Sequence, residues 1–103
     1  MHRGIFNKLF LYFILLFPGK VVYSQIEISG YIQESGSGER LPYSNIYLDA
    51  LQLGSSANEN GFFSFKGDVK SGMILKASYV GYQTKLIELT DELINSQLVI
   101  DLI

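Results

Sequence analysis

Two stretches decide the fold that this sequence predicts: Ser78-Tyr79-Val80-Gly81-Tyr82 and, before it in the chain, Asn58-Glu59-Asn60-Gly61-Phe62-Phe63. Asn-Gly before two phenylalanines is a strong signal for a β-hairpin closed by a two-residue turn, in which the glycine has a positive φ. A strand that ends in Gly-Tyr needs a residue at which the backbone can turn sharply, and glycine allows this. The residues to which we assign structural roles in turns are Asn58, Asn60, Gly61, Gly81 and Tyr82.

Apolar and polar residues alternate through most of residues 25–103, and this period of two predicts β-strands. Turn signals such as Glu34–Arg40 separate these strands at intervals of about 8–12 residues, which is typical of a sandwich. We therefore expect an all-β fold, a small antiparallel β-sandwich of about seven strands with Greek-key connections. One short helix is expected at Thr90–Asn95, capped by Thr90.

The same alternation predicts which side chains form the core. Segment 54–58 is short and polar, so we expect an edge strand there, and segment 67–72 is expected to be a polar connection. The residues expected to point inward are Ile26, Ile28, Gly30, Ile32, Ile46, Leu48, Phe63, Phe65, Leu75, Ala77 and Tyr79.

Residues 1–24 have the features of a secretory signal peptide, which leaves 25–103 as one domain. Arg3 and Lys8 supply the positive charge, and Leu9–Phe17 is an unbroken apolar run. Val22 and Ser24 fit the positions before a cleavage between Ser24 and Gln25. The alternatives are a retained membrane anchor and a buried apolar strand. A spanning helix needs roughly 20 apolar residues, more than this run contains.

Charge and composition argue against several classes of function for this chain. All ten acidic residues but only five of the eight basic residues lie in 25–103, a net charge of −5. This argues against a nucleic-acid partner, which requires clustered Lys and Arg, and against binding to an anionic membrane surface. We also expect no membrane insertion by the mature domain itself. The chain has no cysteine, and its one histidine is His2, so the domain lacks the usual zinc ligands and the usual base for a catalytic serine.

We therefore predict no catalytic residue, no cofactor and no metal site. The adjacent carboxylates Asp91 and Glu92 are better explained by the first turn of the predicted helix. A weak cation site at Asn58–Gly61 stays open as an alternative to a simple turn, although the later bidentate carboxylate of a calcium loop is missing. An enzyme is the third and least favoured class.

Tyrosines are the remaining candidates for function. Tyr31 and Tyr47 fall on the outward parity of their strands, and tyrosine is enriched at protein interfaces. Tyrosine is also an ordinary strand residue. We treat these two side chains as a candidate partner surface, with a purely structural role as the alternative.

Three ordered motifs resemble a known family: Leu41-Pro42-x-x-Asn45-Ile46-Tyr47-Leu48, the stretch from Gly54 to Phe65, and Ser78-Tyr79-Val80-Gly81-Tyr82-Gln83-Thr84. The chain resembles the carboxypeptidase-regulatory-like domain, a transthyretin-like sandwich, over residues 26–102. The family often has Asp where this chain has Asn58, and Gly- or Ala-type residues where it has Tyr43 and Ser44.

The resemblance implies a non-catalytic accessory domain. Such domains occur at the N-terminus of SusC-type TonB-dependent outer-membrane receptors, so we expect an exported, periplasmic or outer-membrane protein of a Gram-negative bacterium that serves nutrient import, present as a short or truncated product. Its partners would be the remaining receptor domains or another envelope protein. The alternative is a stand-alone secreted or surface module that binds a protein or a glycan.

Overall fold

The computed structural model describes residues 25–103, and they form two β-sheets. The predicted signal peptide, with its cleavage point after Ser24, lies outside the described residues. In chain order the elements are β1 (Ile26–Glu34), β2 (Asn45–Leu48), a 3-10 helix (Asp49–Leu51), β3 (Leu53–Ser56), β4 (Phe62–Gly67), β5 (Ile74–Ser78), β6 (Lys85–Glu88), α1 (Asp91–Ile94) and β7 (Leu98–Leu102).

The strands are ordered β4-β1-β7 in one sheet and β3-β2-β5-β6 in the other. The prediction of an all-β sandwich of about seven strands is confirmed. All pairs are antiparallel except β1 and β7, which run parallel, with Gly30 opposite Leu98 and Ile32 opposite Ile100. Parallel neighbours require a crossover connection rather than a tight turn. The connection from β6 to β7 also changes sheets, because β6 lies in the four-stranded sheet and β7 in the three-stranded sheet.

The core lies between the two sheets and is built from the residues that alternate inward. Most of the expected positions are buried, among them Ile46, Phe63 and Leu75, each at most 1% exposed. Phe65 and Tyr79 are only half-buried and pack against this core. The segment expected to be a polar connection contributes a buried side chain, Val69, which is 2% exposed and belongs to the core cluster.

The turn at Asn58–Gly61 does not close the predicted hairpin. β3 and β4 lie in different sheets, so the expectation that the turn joins two paired strands is wrong. The Asn58 carbonyl accepts from Tyr43 N at 3.2 Å, and three residues later the Gly61 carbonyl accepts from Ile32 N at 2.9 Å. The turn therefore carries the chain from the edge of one sheet to the other, because each end pairs with a different sheet.

The helix α1 matches its prediction. Thr90 caps it, since its hydroxyl oxygen accepts a hydrogen bond from Leu93 N at 3.2 Å, and Asp91 and Glu92 occupy the first turn. Among residues 25–103, no helix is both long enough and apolar enough to cross a membrane.

Candidate functional site

Tyr31 lies on the outer face of the three-stranded sheet, as its parity predicts. Its ring stands edge-on to that of Phe62, with the centroids 5.2 Å apart. The Arg40 guanidinium carbon lies 3.9 Å from the centroid of the Tyr31 ring, a cation–π contact. Val99 neighbours Tyr31 on the other side and is exposed. Tyr31 therefore belongs to an apolar row across this sheet, covered in part by an arginine.

Tyr47 lies on the outer face of the other sheet, opposite Gly54 of β3 and Lys76 of β5. Its ring covers Gly54 closely, because a Cβ added to that glycine would lie 3.2 Å from Tyr47 Cδ2. This packing over an edge glycine is a structural role. Since Tyr31 and Tyr47 lie on opposite faces of the sandwich, the structure does not bring them together into one surface.

Asn58 and Gly61 shape the Asn58–Gly61 turn, the first through its side-chain oxygen and the second through its backbone conformation. Asn58 Oδ1 accepts hydrogen bonds from Asn60 N at 2.8 Å and from Phe62 N at 3.1 Å. The φ of Gly61 is +74°, as predicted. Glu59 and Asn60 do not have positive φ, so the two-residue primed turn is wrong. The geometry is a three-residue loop in which glycine takes the left-handed position.

The Tyr79–Tyr82 segment forms a second turn. Tyr82 N donates to Tyr79 O at 3.0 Å, and Gly81 has a φ of +90°, which a type II turn requires at its third residue. The Tyr82 hydroxyl donates to the Glu34 carboxylate, which also accepts from Ser37 Oγ at 2.8 Å. Gly81 and Tyr82 therefore form a structural corner that fastens one turn to another.

These hydrogen bonds shift the acid–base properties of both groups. The bond from Tyr82, and then the bond from Ser37, lower the pKa of Glu34 because both favour the charged carboxylate. The same contact raises the pKa of Tyr82, since the hydroxyl must keep its proton to donate it. In an enzyme, such pKa shifts can serve proton transfer. Here the two groups are hydrogen-bonded to each other, and the bond links two turns.

The described part of the chain contains little that resembles a catalytic centre. Within it, no group of three or more His, Cys, Asp or Glu side chains could hold a metal ion. Ser44 is the buried polar residue of the core, and its hydroxyl donates to the Leu41 carbonyl at 2.9 Å. That hydroxyl serves the turn before β2.

Two features were missed by the sequence analysis. Tyr43 is a non-glycine residue with a φ of +62°, and it is 67% exposed. Pro42 before it is the signal that could have identified a turn with a left-handed third position.

The second feature is a cleft between β6 and β7 that contains Lys85. Lys85 shares the inward parity of Ile87, so the alternation could have marked it as a charge facing inward at a sheet edge.

Residues 28–102 match the family model of the CarboxypepD_reg-like domain. No curated protein matches the sequence.

Proposed function

Because the chain belongs to the CarboxypepD_reg-like domain family, we propose that it is an exported accessory domain that acts through protein contacts, as the N-terminal extension of a TonB-dependent outer-membrane receptor for nutrient import. The observation that carries this proposal is the family match, which spans residues 28–102 and so nearly all of the described chain. A domain of this family is a β-sandwich module of a non-catalytic type. Its receptor context and its partners are the parts that we propose.

The arrangement of polar side chains supports a non-catalytic role. Within residues 25–103, the one buried hydroxyl, that of Ser44, is already bonded to a main-chain carbonyl. The pair Glu34 and Tyr82 is bonded within itself. A catalytic group must instead converge with others on a site where a substrate can bind. What the described surface offers are strand edges and exposed apolar side chains, which suit contacts with proteins.

The sequence outside the described residues supports export. Residues 1–24 have the charged start, apolar middle and small residues of a signal peptide.

Photo-crosslinking of the full chain in its native host tests the proposal. Benzoylphenylalanine replaces Tyr47 in one variant and Tyr31 in another, so that the two outer faces are sampled separately. A third variant carries it at Glu59, in the turn between the sheets, as a matched exposed control. We expect at least one sheet face to give cross-links to a TonB-dependent receptor in the outer-membrane fraction. Recovery of the chain only from the medium, without envelope cross-links, favours the stand-alone secreted module.

An activity panel tests the non-catalytic part of the proposal. We expect the full chain to leave peptide, ester and glycoside substrates unchanged, with and without added zinc. Turnover that disappears when a single carboxylate is replaced by its amide contradicts the accessory role. The reading frame downstream of the gene gives an independent check, because a plug and barrel encoded there supports the receptor context.

A further inference from the structure

One edge of the sandwich is open along β7. Among residues 25–103, this strand pairs only with β1. On that side the Leu102 carbonyl accepts a hydrogen bond from Ser35 N at 2.9 Å. Backbone groups point alternately to the two sides of a strand, so the N–H and C=O groups of Val99 and Asp101 face away from β1. An edge of this kind is a template for another strand.

A cleft of about 420 Å³ lies against this edge. Residues 83–86, at the start of β6, form one wall, and Asp101 and Ile103 form the other. The two walls touch at two main-chain acceptors, where Ile103 O accepts from Gln83 N at 2.6 Å and Asp101 O accepts from Lys85 Nζ at 3.2 Å. The sandwich is therefore held together here by single hydrogen bonds, without a ladder between β6 and β7.

Exposed apolar side chains flank the cleft. Leu86 is 63% exposed on one side, and Ile103 is 75% exposed on the β7 side. Isolated exposed apolar residues are common, but two beside one unpaired strand edge provide contact area for a ligand that lies along it.

Lys85 determines the chemistry of the cleft. It pairs with the buried Ala77 in the β5–β6 ladder, so its side chain starts on the inward face and reaches across to β7. An inward-pointing charge at a strand edge discourages accidental pairing. Among residues 25–103, the ion pair within 4.0 Å is Lys70 with Asp68, which leaves the Lys85 ammonium bonded to a neutral carbonyl. A carboxylate is a stronger acceptor for an ammonium group than a carbonyl is.

We propose that the open edge of β7 binds an extended segment of a partner protein that carries a carboxylate side chain. The segment adds as a strand to Val99 and Asp101, and main-chain hydrogen bonds supply the affinity. Its carboxylate accepts the hydrogen bond that Lys85 Nζ otherwise donates to the Asp101 carbonyl. Its apolar side chains contact Leu86 and Ile103. Because the rest of the domain is acidic, Lys85 fixes the position at which a carboxylate is accepted. This inference rests on the proposed function, since it names the surface for the protein contacts.

Hydrogen exchange measured by NMR on the full chain tests the docking site. The probe is a nine-residue peptide of alternating valine and threonine with a central glutamate, capped at both ends and fitted with a polyethylene-glycol tag. We expect it to slow exchange of the Val99 and Asp101 amides. A peptide with glutamine at the centre should bind about fivefold more weakly, the size of one exposed ion pair. A peptide with alternate backbone amides methylated should not protect these amides.

Variants of the chain give the reciprocal test. Lys85→Gln should remove the fivefold preference for glutamate over glutamine, while Lys76→Gln, on the outer face of the neighbouring strand, should keep it. Val99→Pro should abolish binding, because it removes an edge amide that faces away from β1. If Val99→Pro does not fold, the methylated peptide makes the same comparison on the unmodified chain.

Three results separate this inference from the proposed function. No protection of the two amides at millimolar peptide overturns the docking site, and envelope cross-links obtained in the same chain still support the accessory role. A glutamate preference that survives Lys85→Gln also overturns the site. Cleavage of the peptide by the chain contradicts the proposed function itself.

Discussion

The Tyr82 hydroxyl donates a hydrogen bond to the carboxylate of Glu34, 48 residues earlier in the chain. This contact fastens the Tyr79–Tyr82 turn after β5 to the turn that follows β1. The two strands belong to different sheets, so the bond links the sheets at the end of the sandwich.

Replacing Tyr82 with phenylalanine should lower the melting temperature by roughly 3 °C near neutral pH, because it removes the hydrogen bond and keeps the ring contact with Tyr79. Thermal melts followed by circular dichroism measure this. The double variant with Glu34→Ala should melt close to the Glu34→Ala single variant, because the Tyr82 hydroxyl has already lost its acceptor there. Fully additive losses would contradict a direct coupling.

The stability difference between the parent chain and Tyr82→Phe should depend on pH. The pKa of Glu34 is lowered from 4.5 in the folded chain, so its contribution is present above that value and is lost as the pH falls through the folded pKa. The pKa of Tyr82 is raised from 10.0, so its contribution is present below that value and is lost as the pH rises through the folded pKa. Melts at several pH values should show the largest difference between about 5 and 9, and a constant difference would refute this linkage.

Phe63→Ala should destabilise the domain more than Phe65→Ala. Phe63 is 1% exposed, and truncating a buried phenylalanine costs about 3–5 kcal/mol, a large part of the roughly 5–15 kcal/mol that stabilises a folded domain. Phe65 lies on the same strand face with its ring 6.5 Å from that of Phe63, but it is only half-buried. Urea unfolding of both variants makes the comparison, and equal losses would show that the core extends to Phe65.

Gly61→Ala should cost more than Gly36→Ala, although both glycines have positive φ, +74° and +93°. A left-handed alanine costs about 1–2 kcal/mol at either position. At Gly61 the added Cβ would also lie 3.0 Å from the Ile32 carbonyl oxygen, whereas at Gly36 no heavy atom of residues 25–103 would lie within 4 Å of it. Chemical denaturation of the two variants separates the conformational strain from the clash, and the same cost at both sites would exclude the clash.

Tyr43→Gly should stabilise the chain by about 0.5–1 kcal/mol. The left-handed conformation of Tyr43 costs about 1–2 kcal/mol, and glycine removes this cost. Part of the gain is offset because glycine has more conformational freedom to lose when the chain folds. Tyr43→Val is the opposing control, because a β-branched residue tolerates positive φ poorly. Denaturation midpoints should rank glycine above tyrosine and tyrosine above valine, and a loss of stability in Tyr43→Gly would show that the exposed ring contributes more than the strain costs.

Much of the fold is predictable because its signals are local. Alternation along a strand fixes which side chains face inward, and this correctly placed Ile46, Phe63 and Leu75 in the core. The outward parity of Tyr31 and Tyr47 is equally local and is also correct. A capping threonine followed by acidic residues identified α1, since a helix start depends on neighbouring residues.

Strand partners and shared surfaces were decided only by the tertiary structure. The sequence by itself determined where strands form and which face of each is buried. It did not determine that β3 and β4 separate into two sheets, that β7 runs parallel to β1, or that Tyr31 and Tyr47 lie on opposite faces. The bond between Tyr82 and Glu34 and the reach of Lys85 across the open edge join residues distant in the chain. Such contacts depend on how the strands pack against one another, and alternation within a single strand carries no information about that.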